Sequence, residues 1–139
     1  MSKRKIIIYL ALFLFISVFA RTSYCETFLK EESNTIPGPV LLSPTTKDIV
    51  LSGRDYLEFT WERTSFTRTN YFDFRVYKGF SATDNRQVFK QKCTWSDYPP
   101  RLPASLFEEN QVYSWMLIQV FTDGKKSDKS FSSFKIIKK

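Results

Sequence analysis

Few side chains in this 139-residue chain are equipped for chemistry, and their spacing is restrictive. Histidine is absent, which removes the commonest general base and the usual ligand of catalytic zinc. The two cysteines are Cys25 and Cys93, and a thiol with no imidazole beside it lacks its ordinary activating base. Gly38, Gly53, Gly79 and Gly124 stand far apart, so no glycine-rich loop is available to cradle a phosphate. Carboxylates remain as acid–base candidates. Glu108 and Glu109 are adjacent; on a strand they would face opposite ways, and in a turn both would reach water. Glycoside hydrolysis instead needs two carboxylates converging on one bond. Asp123-Gly124 is a hairpin signal, whereas a calcium loop requires several oxygen ligands at alternate positions. The expectation is a chain that is not an enzyme, with no catalytic residue, no cofactor and no metal.

Aromatic rings offer a different chemistry, the stacking of sugars. Trp95 and Tyr98, in "CTWSDYPPRLP", lie near prolines in a connection, and Tyr77 and Phe80 flank Gly79 at the end of a strand. Trp95, Tyr98 and Tyr77 are therefore candidates for glycan stacking. The competing reading packs Trp95 over the lower core, since Trp is highly buried on average.

The elements that must position these residues are short and strand-like. "YLEFTW" sets Leu57, Phe59 and Trp61 on one face, and "YFDFRVY" alternates Phe72, Phe74 and Val76 against Tyr71, Asp73, Arg75 and Tyr77. "VLLSP", "RQVFKQK", "CTWSDY", "VYSWMLIQVF" and "SFSSFKII" are the further strand candidates, the last two joined by the turn "TDGKKSDK". No segment keeps a helical period over three turns. Short alternating runs with regularly spaced turns predict an all-β, two-sheet antiparallel sandwich. With 14 Phe, 7 Tyr and 3 Trp, large rings supply buried area that a small domain cannot draw from length.

The N-terminus has a separate logic. Lys3, Arg4 and Lys5 precede the apolar run "IIIYLALFLFISVFA", Ile6 to Ala20, in the order of a secretory signal peptide. The run is shorter than the roughly 20 apolar residues of a spanning helix. Cleavage fits after Ala20 or after Cys25. A retained anchor, or a lipidated Cys25, would tie the chain to a membrane; "TSYC" suits lipidation poorly, because Tyr24 stands where a small residue belongs. The expected organisation is a signal peptide over 1–25, a polar leader over 26–38 ending at Pro37-Gly38-Pro39, and the sandwich over 39–139. Cleavage after Ala20 would keep Cys25 and leave a Cys25–Cys93 bridge open; cleavage after Cys25 leaves Cys93 alone. The net charge of +7 falls to +3 once Lys3, Arg4, Lys5 and Arg21 are set aside. The remaining cations are scattered outside the tail "KIIKK", so nucleic acid is not an expected partner.

"PVLLSP", "LEFTW", "YFDFRVYKG", "SLFEENQVYSWML" and "SFSSFKI" together resemble a fibronectin type III domain over Pro39 to Ile137. In that family a Trp of the second strand lies in the core, and a Leu six residues before a Tyr marks the turn into the sixth strand. Trp61 fits the first place and Tyr113 the second; six residues before Tyr113 is Phe107, with Leu106 beside it. The resemblance implies a core containing Trp61, Phe74, Tyr113 and Trp115, and a Tyr113 hydroxyl bonded to backbone of the preceding turn. It also implies a binding, spacer or adhesive module, usually without catalysis, with a protein or a cell-surface glycan as the expected partner; the signal peptide in turn predicts export to the periplasm, the cell surface or the medium.

One face of "VYSWMLIQVF" remains to be covered. If Trp115 and Leu117 point inward with Tyr113, then Met116, Ile118 and Val120 point outward, beside Tyr71 and Tyr77 of one neighbouring strand and Phe131 and Ile137 of the other. Tyr71, Tyr77, Met116, Ile118 and Val120 form the candidate interaction surface. The alternative is that the leader, with Phe28, Leu29 and Ile36, folds back over it.

Overall fold

Alternation of period two in the two longest strands sets the frame. In the computed structural model, which describes residues 35–45, 47–62 and 68–137, β5 (Thr69–Lys78) and β8 (Val112–Phe121) run side by side and antiparallel. β9 (Ser130–Ile137) lies on the far side of β8, and β6 (Gln87–Cys93) on the far side of β5. β2 (Asp48–Val50) completes a five-stranded sheet in the order β2-β9-β8-β5-β6.

The second layer is built from shorter pieces. β1 (Leu41–Ser43) pairs with β4 (Thr60–Trp61), and β3 (Tyr56–Glu58) pairs with β7 (Arg101–Pro103). Only Phe59 separates β3 from β4, and its N–H still reaches the Pro100 carbonyl at 3.1 Å. Every pair is antiparallel except β2–β9. That parallel pair follows from the route of the chain: β1 leaves one layer and β2 joins the other without an intervening hairpin.

Two expectations about elements are corrected. "CTWSDY" is not a strand: Cys93 ends β6, and Trp95–Asp97 form a single 3-10 turn. The Asp97 carboxylate accepts from both the Thr94 N–H and its hydroxyl, at 2.7 Å each. This local capping satisfies the backbone without a ladder. Conversely, β2 and β7 were not foreseen; three residues are too few to display an alternation.

Between the layers, Leu57, Phe59 and Trp61 meet Phe72, Phe74, Val76, Trp115 and Leu117. Phe59 packs edge-on against Phe74 at 5.0 Å and Trp115 at 5.2 Å between ring centres. The Trp115 indole N–H donates to the Pro44 carbonyl at 2.7 Å, so one of the two buried indoles of the core also ties down the end of β1. Trp61, Phe74, Tyr113 and Trp115 are all at most 1% exposed. Cys93 is buried among them.

The described residues fall in one compact unit, Thr35–Lys139. The expected signal peptide, Cys25 and the expected leader as far as Asn34 lie outside them. Of the leader, Ile36 bridges Ser127 and its carbonyl accepts from the Asp128 N–H at 2.7 Å. Gly38 passes so close that any side chain there would collide with Ser130 and the Asp128 carbonyl.

Candidate functional site

The outer face of the five-stranded sheet is set by the same alternation that makes the core. Across β5 and β8, Tyr71 stands opposite Val120, Asp73 opposite Ile118, Arg75 opposite Met116, and Tyr77 opposite Ser114. Met116 is matched on its other side by Phe131 of β9. Arg75 and Asp73 form a two-point ion pair, with Nε–Oδ1 at 3.0 Å and Nη2–Oδ2 at 2.6 Å. The Arg75 hydrogen bond outweighs partial burial and holds the Asp73 carboxyl below its usual range.

This frame changes the surface expected from the sequence. Tyr77, Met116 and Val120 are only 1%, 7% and 6% exposed. They point away from the core and are nonetheless closed to solvent; in register, Met116 lies between Arg75 and Phe131, and Val120 between Tyr71 and Lys126. Long cationic neighbours in such positions have aliphatic stems able to lie over apolar side chains. Tyr71 and Ile118 stay half-buried, and Phe131 is 45% exposed. The accessible surface is therefore a diagonal row, Tyr71–Ile118–Phe131, across three adjacent strands. Met116, Val120 and Tyr77 form its floor.

Cations surround the row. Lys92 sits over the Tyr71 ring, its ammonium 4.7 Å from the ring centre, and Lys90 and Lys126 add their positive fields at Asp73. Lys90, Lys92 and Lys126 are exposed, and none of the three is ion-paired among the described residues. Sequence reasoning passed over Lys90 and Lys92; their signal was the i, i+2 repeat in "FKQK".

The aromatic residues considered for sugar stacking are placed differently from one another. Trp95 and Tyr98 are half-buried and pack edge-on, at 5.6 Å from each other, at 4.9 Å from Phe72 for Trp95 and 4.9 Å from Trp61 for Tyr98. The Tyr98 hydroxyl donates to the Trp61 carbonyl at 3.0 Å. Their rings extend the core as an apolar flank rather than standing clear of it. Tyr77, being buried, offers no stacking face. Phe80 does: it is 71% exposed beside an open groove of about 310 Å³ lined by Lys47, Asp48, Val112, Ser133 and Lys135.

The remaining chemical candidates are scattered. Glu108 is held by Lys78 at 2.7 Å on the surface, and Glu109 is exposed. Burial pushes the Cys93 thiol up to about 12, far from the thiolate that nucleophilic chemistry needs. Among the described residues no three of His, Cys, Asp and Glu gather closely enough to hold a metal ion.

At the turn into β8, the Glu108 N–H donates to the Tyr113 hydroxyl at 2.8 Å. Phe107, 7% exposed, packs against the Tyr113 ring at 5.0 Å and 86°, while Leu106 is half-buried. Phe107 therefore occupies the apolar place before the tyrosine. Nine short strands in two layers among the described residues and this tyrosine corner decide the architecture. The fold is fibronectin type III-like.

No protein-family model matches the chain, and no characterised protein matches it in sequence. Among solved structures, it is similar to the fibronectin(III)-like modules of Clostridium thermocellum CbhA. There the identity is 15% and the TM-score 0.46, over 72% of this chain and 97% of that one. A β-1,2-glucanase from Parabacteroides distasonis is similar at 16% identity and a TM-score of 0.39. That match takes in 75% of this chain but 13% of the glucanase.

Proposed function

We propose that this chain is an exported, non-catalytic binding or scaffolding module, and that it meets a partner protein through the outer face of its five-stranded sheet. The observation that carries the reading is the row Tyr71–Ile118–Phe131. Three partly open apolar side chains lie diagonally across adjacent strands on a buried floor, with Asp73, Arg75 and Lys92 around them. An apolar centre within a polar, charged rim is the usual anatomy of a protein-binding patch. Export is supported by the basic start and apolar run at Lys3 to Ala20. Crosslinking of the protein in its native compartment tests both parts. The mature chain should begin at Arg21 or Glu26, and Ile118→Ser with Phe131→Ser should remove the crosslinked species while the chain still unfolds cooperatively on heating. A crosslinked species that persists in the double variant refutes the surface; an intact Met1 in a membrane fraction refutes the exported, cleaved form.

A second reading, a small carbohydrate-binding protein, is favoured by one feature, the exposed Phe80 ring beside Lys47, Asp48, Ser133 and Lys135. An open ring with polar groups next to it suits a sugar face and its hydroxyls. Retention on a glycan array that disappears in Phe80→Ala would replace the protein-partner reading with this one.

A further inference from the structure

β6 is the edge of the five-stranded sheet, paired with β5 and with nothing else among the described residues. Its ladder shifts register beyond Phe89, where Tyr77 meets Gln87 and Val88 is left over. From Phe89 to Cys93 it is regular, with Val76 opposite Phe89, Arg75 opposite Lys90, Phe74 opposite Gln91, Asp73 opposite Lys92, and Phe72 opposite Cys93. No proline or glycine interrupts this stretch. The outward backbone groups of such an edge form a ready template for another strand.

The side chains on that edge specify what kind of strand. Lys90 and Lys92 are exposed on the same face, two residues apart, which on a strand places their Cα atoms about 7 Å apart. Asp73, the carboxylate nearest in register, is already bound at two points by Arg75. Like charges directly opposite one another destabilise a strand pair. A second copy pairing antiparallel through this stretch would set lysine against lysine. Lysines on an edge keep identical edges apart; by the same electrostatics they select a strand whose acidic residues recur at every second position.

We propose that the edge of β6 takes up an extended acidic segment of another protein as a sixth strand, with alternate Asp or Glu side chains facing Lys90 and Lys92. Main-chain hydrogen bonds supply the affinity, and the two-residue charge repeat supplies the selection. The proposal rests on the reading of the chain as a binding module, but it does not depend on the Tyr71–Ile118–Phe131 row.

The test uses the full chain and a short synthetic peptide alternating glutamate with threonine and valine. A control peptide of the same composition carries its glutamates in one block. Binding is followed by fluorescence anisotropy, and amide hydrogen exchange is followed across the sheet. The alternating peptide should bind more tightly than the block peptide and slow exchange at Phe89 to Cys93. Lys90→Glu with Lys92→Glu should weaken it roughly ten- to thirty-fold, from two attractive cross-strand pairs made repulsive. Lys90→Gln with Lys92→Gln should give an intermediate loss, and Ile118→Ser with Phe131→Ser should leave this binding unchanged. Equal binding of the two peptides overturns the proposal. So does slowed exchange with polygalacturonate, an anionic chain without amides, or a self-associated form whose protected edge is β6. Loss of peptide binding in the Ile118/Phe131 variant would move the site to the outer face and overturn the edge alone.

Discussion

Two residues apart on one strand, Met116 and Ile118 should respond very unequally to the same substitution. Both point away from the core, and from sequence alone both belong to one exposed patch. Met116 is 7% exposed and flanked in register by Arg75 and Phe131, whereas Ile118 is half-buried. Met116→Lys forfeits the burial of a whole side chain, about 1.5–3 kcal/mol. It also places a second cation opposite Arg75, at about 0.2–1 kcal/mol. Part of the first cost is recovered because the lysine stem can still lie along the face while its amine reaches water. The net loss is about 2–3 kcal/mol. For Ile118→Lys the neighbour in register is Asp73, the side chain starts half-open, and the loss should stay below about 1 kcal/mol. With a urea dependence of about 2 kcal/mol per molar for a small domain, Met116→Lys lowers the unfolding midpoint by about 1–1.5 M. Ile118→Lys lowers it by less than about 0.5 M. Urea titrations read by the fluorescence of buried Trp61 and Trp115 measure both. Met116→Leu, which conserves volume, should cost less than about 1.5 kcal/mol and serves as the control. Equal midpoints for the two lysine variants would refute the covered floor of the outer face.

The core and its corner should separate by magnitude. Trp61→Ala removes a ring that is 1% exposed and should cost about 3–5 kcal/mol. Tyr113→Phe removes only the acceptor of the Glu108 N–H and should cost about 0.5–1.5 kcal/mol; equal and negligible midpoint shifts would refute both roles. The third prediction concerns acid. The Arg75 hydrogen bond depresses the Asp73 carboxyl below its ordinary 3.8, so the stability it contributes is present above that value and is lost as pH falls through the lower, folded one. Urea midpoints measured downward from pH 7 should fall less steeply below 3.8 in Asp73→Asn than in the parent; parallel acid limbs would refute the assignment.

What the sequence determined by itself was the layer arrangement and the inward set. Phe72, Phe74 and Val76, Trp115 and Leu117, and Leu57, Phe59 and Trp61 all follow a period of two, and side-chain direction on a strand is a local property. The Tyr113 corner was legible too, because its partner Glu108 lies five residues away. Segments of three residues were not, since β2 and β7 exist only through partners distant in the chain, β9 for the first and β3 for the second. "CTWSDY" misled for the opposite reason: its apolar rings suggested a strand, while Thr94 and Asp97 closed a turn locally. Tertiary structure alone decided how far each outward residue is covered. Direction comes from the residue's own backbone, but burial depends on neighbours brought from elsewhere in the chain. Arg75 lies some forty positions from Met116 in sequence and directly opposite it in the sheet. Topology likewise decided that β6 is an edge. Nothing in "RQVFKQK" records that, among the described residues, no strand pairs with its outer side, and that circumstance turns two solvated lysines into a charge pattern a partner strand can read.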